Sequence, residues 1–143
     1  MKTIKALTFV ATAFLLSLLL QAPTVQAAGK PHVVINFTKW VTSGPFMEGV
    51  SDIGDFEGEV VSFKEVAGGQ IWKIGAIYQI VTGEHQFSAL IHGTHSWHTG
   101  LGVLNGVITD GWLVGSNVHV EFEAIPDPDH GFVFTGTITI MPN

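Results

Sequence analysis

Residues 118–123 read Val118-His119-Val120-Glu121-Phe122-Glu123, three apolar side chains alternating with three polar ones. Successive side chains on a strand point to opposite faces, so this stretch offers one face to a core and one to water, as a strand of an antiparallel sheet does. Outward in both directions the chain repeats short β-rich runs, separated by Gly, Asp and Pro. The runs predict strands over 32–41, 56–66, 70–81, 86–97, 101–109, 112–125 and 132–141. Turns are expected at Ala67-Gly68-Gly69, Thr82-Gly83-Glu84-His85, His98-Thr99-Gly100, Asp110-Gly111 and the Pro126-Asp127-Pro128-Asp129 loop. Asp-Gly is a strong hairpin signal. Residues 42–55 are the least regular, either a crossing loop or a short extra strand that brings the count to eight. No window after residue 27 carries a sustained 3.6-residue apolar period with caps.

Long strands joined by short turns place sequence neighbours side by side. Gly58, Gly75, Gly93, Gly106, Gly115 and Gly136 fall inside the expected strands, where glycine weakens pairing but permits bulges and sharp bends. Closure of the sheet also removes the edges that a very apolar chain would otherwise expose. The fold class is therefore all-β, a small antiparallel closed β-barrel of about 7–8 strands, with a β-sandwich as the alternative. Two faces of the 70–81 strand are apolar (Ile71 and Ile77 on one, Trp72, Ile74, Ala76, Tyr78 and Ile80 on the other), and 101–109 is similar. A strand apolar on both sides needs two covers, so a homo-oligomer is expected.

The N-terminus has another grammar. Lys2 and Lys5 precede an uncharged apolar run over 7–20, then the small-residue site Val25-Gln26-Ala27. That order is a secretory signal peptide over 1–27, leaving residues 28–143 as a single barrel domain. The run is shorter than the roughly 20 apolar residues a membrane helix needs. The protein is expected to be exported, periplasmic or extracellular, with no membrane span after cleavage. It has no Cys, so packing and closure must hold the barrel together without disulfides.

Charge excludes some partners. The chain has no Arg, and removal of the signal leaves four Lys against twelve acids, a net charge near −8 with His neutral. A nucleic-acid binder needs a basic footprint, which is missing. Anionic lipid surfaces are disfavoured for the same reason.

Catalytic signatures are sparse. G-x-S-x-G, H-E-x-x-H and a phosphate-binding glycine loop do not occur, and no cofactor is expected. His92, His95 and His98 are three apart, which on a period-two strand sends His95 to the face opposite the other two. His119 and Glu121 share a strand face and form the weaker, metal-binding alternative. Asp52, Asp55, Asp127 and Asp129 lack the calcium-loop register and read as turn residues. The apolar face Phe87, Ala89, Ile91, Gly93, His95, Trp97, together with Trp72 to Ile80, either fills the barrel or lines a pocket for one small ligand. The candidate ligand-binding residues are Trp72, Tyr78, His95, Trp97 and Asn105.

The stretch Thr99-Gly100-Leu101-Gly102-Val103-Leu104-Asn105-Gly106-Val107-Ile108-Thr109-Asp110-Gly111-Trp112-Leu113-Val114-Gly115, continuing through Val118 to Phe122 and preceded by Phe87-Ser88-Ala89 and Gly93-Thr94, carries a resemblance. It resembles small exported bacterial proteins whose Gly-rich hairpins look like the allene oxide cyclase and dirigent type of β-barrel. The resemblance covers roughly the second half of the chain after residue 27 and is structural. It implies an apolar small molecule in the lumen, frequent trimers, and in some members the steering of cyclisation or coupling. No catalytic residue carries over position by position. The expected function is binding of a hydrophobic small molecule in the lumen, as a carrier or as a non-metal cyclase or isomerase. A structural or adhesive oligomer of the cell envelope is the alternative.

Overall fold

The computed structural model describes residues 29–143; the expected signal peptide lies outside them. Eight strands follow in order: β1 (Val33–Ser43), β2 (Phe46–Ser51), β3 (Asp55–Val66), β4 (Ile71–Ile80), β5 (Phe87–Ser96), β6 (Leu101–Gly111), β7 (Asn117–Asp127) and β8 (Gly131–Met141). Each pairs antiparallel with the next, and β8 returns to β1 from Val33↔Ile140 to Lys39↔Phe134, closing the barrel. The irregular 42–55 segment supplies β2. Being short, β2 is easily missed: its Phe46-Met47-Glu48-Gly49-Val50-Ser51 alternates, but the buried set is only Met47 and Gly49.

Alternation holds around the ring. Ile35, Phe37, Met47, Phe56, Ala76, Tyr78, Ile80, Phe87, Ala89, Ile91, Leu104, Ile108, Val118, Val120, Phe122, Ile138 and Ile140 converge in the lumen. A void able to admit water would leave exposed surface on the side chains around it. Ile35, Ile91, Val120 and Ile140 expose none, so the barrel is filled at these levels. The end that carries the 52–54, 81–86 and 112–116 loops is called the lower end. The end with the four other turns is the upper.

Two expectations change at the β6–β7 connection. Asp110-Gly111 does not make a tight hairpin, and Gly115 is not in a strand. Gly111 still pairs with Phe87 across a bulge at Ser88 and Ala89. The chain then turns over 112–116, closed by Gly115 N–H donating to the Ile108 carbonyl at 2.8 Å. Tertiary packing sets this choice. The Trp112 ring stacks on His85 at 4.1 Å, and the Trp112 backbone N–H donates to the Gln86 carbonyl at 2.8 Å, tying the turn to the β4–β5 loop.

Among the described residues no helix is long and apolar enough to cross a membrane.

Candidate functional site: the upper mouth of the barrel

β1 shows how the site arises. Its inward positions run Val33, Ile35, Phe37, Lys39, Val41, so a lysine stands where the pattern calls for an apolar side chain. Lys39 is buried, at 4% exposure. Its Nζ lies 4.1 Å from the Tyr78 ring centroid and 4.8 Å from that of Phe122, with Phe134, Phe37 and Phe56 farther out. The amine is hydrogen-bonded to the Tyr78 hydroxyl, and the Met47 thioether sits 3.5 Å away. Among the described residues no carboxylate pairs with it. Burial without a counter-ion disfavours the ammonium form, which lowers the Lys39 pKa to about 7. Burial has the opposite effect on Tyr78, whose hydroxyl stays protonated far beyond its usual range.

Above this group lie aromatic rings. His95 packs on Trp97 at 4.5 Å, on Phe122 at 5.5 Å and on Phe134 at 5.9 Å. Its Nε2 lies 3.2 Å from the Gly100 carbonyl, to which it donates in the Nε2–H tautomer. Burial is the main cause of its lowered pKa; the Gly100 hydrogen bond opposes that, and the Lys39 charge adds to it. At the rim an edge-to-face chain runs Phe63–Trp72 (4.9 Å), Trp72–Trp97 (4.9 Å) and Trp97–Phe132 (5.2 Å). Such contacts suit the ring quadrupoles. The Trp97 indole N–H is buried with no partner among the described residues.

Space opens at this rim. A groove of about 480 Å³ is lined by Val41, Gly44, Pro45, Val60, Val61, Ser62, Phe63 and Trp72. The β3 register shift between Val60 and Ser62 falls in this wall. Val41 is 50% exposed, as is Phe63. Residual exposure returns within the core just below, at Met47 (6%), Phe122 (5%) and Lys39. The groove and the buried amine are therefore one inward position apart along β1, about 6–7 Å of strand rise.

The sequence-derived candidates divide. Trp72, His95 and Trp97 come together at the mouth, and Tyr78 lies beneath it on the Lys39 amine. Asn105 does not join them: with Leu104 and Ile108 facing in, period two turns Asn105 outward. There its Oδ1 meets His119 Nδ1 at 2.6 Å, and His119 Nε2 meets Glu121 at 3.2 Å. This pair is all the metal alternative has, since no group of three metal-ligating side chains forms among the described residues. Lys39 is the residue that sequence reasoning passed over. Its signal was a cation in register with four apolar neighbours on one strand face.

Comparison with known protein families, curated proteins and solved structures finds no match to this chain.

Proposed function

We propose that this protein, exported from the cell, holds an apolar small molecule in the upper mouth of its barrel. The observation that carries this reading is the 480 Å³ groove, walled by Val41, Val60, Phe63 and Trp72, one inward position along β1 from the buried Lys39 amine and its Tyr78 partner. A concave apolar site with a few convergent polar groups is the usual make-up of a ligand pocket. The filled lower barrel supports binding at the mouth, with the rest acting as a rigid base. The resemblance to allene oxide cyclase and dirigent barrels points the same way. Folding the substrate and excluding water are means by which such a site can steer a reaction.

The test uses N-phenyl-1-naphthylamine, an apolar dye without a carbonyl. Phe63 is half exposed and carries little of the fold, so Phe63→Ala leaves melting nearly unchanged. It should weaken dye binding about tenfold, the loss of roughly 1.4 kcal/mol of aromatic contact. Equal binding by the variant and the parent would remove the mouth as the site.

The outer wall favours self-association as a second property. Leu90 and Val107 face each other across β5 and β6, with Ile77 beside Leu90 on β4. Leu101 and Val103 extend the apolar surface along β6, and all of these except Ile77 are exposed. Leu90→Glu combined with Val107→Glu is expected to convert an oligomer to monomer in sedimentation velocity. A parent protein that stays monomeric at every concentration would end this reading.

A further inference from the structure

The Lys39 amine is the least explained group in the molecule. A buried cation is normally paired or hydrogen-bonded by an acid, yet among the described residues Lys39 has only a hydroxyl, a thioether and ring faces around it. Its position serves no packing need that a Met or Leu would not meet. Two features make it reachable. On β1 and β2 the covering side chains are Val41, half exposed, and Met47, which pairs with Val41 and is an unbranched thioether able to change rotamer cheaply, while the His95, Phe122 and Phe134 rings cover the amine from the other strands. The neighbouring β2 position facing Lys39 is Gly49, which contributes no side chain.

From this geometry we propose that Lys39 Nζ is a covalent anchor, forming an imine with the carbonyl carbon of an apolar aldehyde or ketone that enters through the upper mouth. This rests on the reading of the mouth as an apolar site and names the class of molecule it takes. In the reaction the nitrogen lone pair attacks the carbonyl carbon and a C–N bond forms. The carbonyl oxygen then leaves as water, carrying the two hydrogens that the amine loses. The Tyr78 hydroxyl, already bonded to the amine, donates a proton to the departing oxygen and recovers one from nitrogen. No oxidant or reductant is consumed. A low-dielectric pocket keeps the amine in its nucleophilic form near neutrality and slows hydrolysis of the imine by excluding water. Burial lowers the Lys39 pKa to about 7, which makes the neutral, nucleophilic amine accessible near neutrality, whereas an exposed lysine is almost wholly charged there.

The experiment treats the protein with cinnamaldehyde at pH 7, reduces with sodium borohydride and maps the adducts by peptide mass spectrometry. A single reduced adduct is expected on Lys39, at least tenfold above that on Lys30, Lys64 or Lys73. Met47→Ala should accelerate labelling several-fold, and Lys39→Met should remove it while leaving the fold intact. Labelling spread evenly over the exposed lysines, or an unmodified Lys39 in the parent protein, overturns the proposal. Phenylnaphthylamine binding separates the two readings. Dye bound without a Lys39 adduct leaves the mouth site standing and removes the covalent anchor; loss of dye binding removes both.

Discussion

Replacing the buried polar pair with apolar side chains, Lys39→Met with Tyr78→Phe, is expected to raise the unfolding free energy at pH 7 by about 1–4 kcal/mol. Buried charged groups exchanged for hydrophobes of similar volume usually give a gain of this size. Tyr78→Phe alone should instead cost about 1–3 kcal/mol, because it leaves the Lys39 amine without its hydroxyl partner. The pH dependence is the sharper readout. Burial depresses the Lys39 pKa from 10.5 to about 7 in the folded protein, so between these values the unfolded chain binds more protons than the folded one. Stability therefore rises with pH across that window. The gain is full only above the unfolded value and is lost as pH falls through 7. Its upper size is about 5 kcal/mol, from 1.36 kcal/mol per pKa unit. Tyr78, whose folded pKa is raised, opposes the rise above about pH 10, where the unfolded phenol begins to ionise. Urea midpoints at pH 7, 8, 9 and 10 should climb in the parent and stay flat in the double variant. A flat parent curve would mean that the amine is solvated, and its burial among the Tyr78 and Phe122 rings would have to be given up.

Gly136→Val should be the most damaging single change, costing at least about 3 kcal/mol and lowering the melting temperature by more than about 10 °C. A Cβ at Gly136 would overlap the Glu121 carbonyl oxygen and the Phe122 Cα, both backbone atoms of the adjoining strand. Main chain in a closed ladder cannot step aside without breaking β7–β8 pairs. The same crowding occurs at Gly106 against the Leu90 carbonyl, which identifies both as places where the curved sheet brings backbones close. Gly115→Ala is the control. Its φ is +86°, but nothing lies within 4 Å of the new Cβ, so only the conformational cost of about 1 kcal/mol applies. Similar losses for the two variants in thermal melts would sink the argument that closure, and not turn geometry, requires Gly136.

Much of the architecture was legible because a strand's period is local. Val118 to Glu123 declares its two faces without reference to any other part of the chain, and by the same period Phe87, Ala89, Ile91 and His95 share the buried face of β5. Gly58, Gly75, Gly93, Gly106 and Gly136 lie inside strands as expected, but the strand irregularities fall at Val41/Ser43, Val60/Ser62 and Ser88/Ala89. Gly115 lies in a turn, where Trp112 is held by His85 on a different loop. Asn105 was misassigned although parity alone, counted from Leu104 and Ile108, would have turned it out. Lys39 was missed because a cation on an apolar face looks like an interruption until the ring is closed.

The amino-acid sequence by itself determined an all-β chain and the two-face alternation of its strands, since pleat and turn chemistry act over a few residues. Only the tertiary structure decided that β8 closes on β1, that Lys39 meets Tyr78, Phe122 and Phe134, and that Val41, Phe63 and Trp72 line a groove at the upper rim. Those outcomes depend on register between strands far apart in the chain. Register is set by how the whole ring packs.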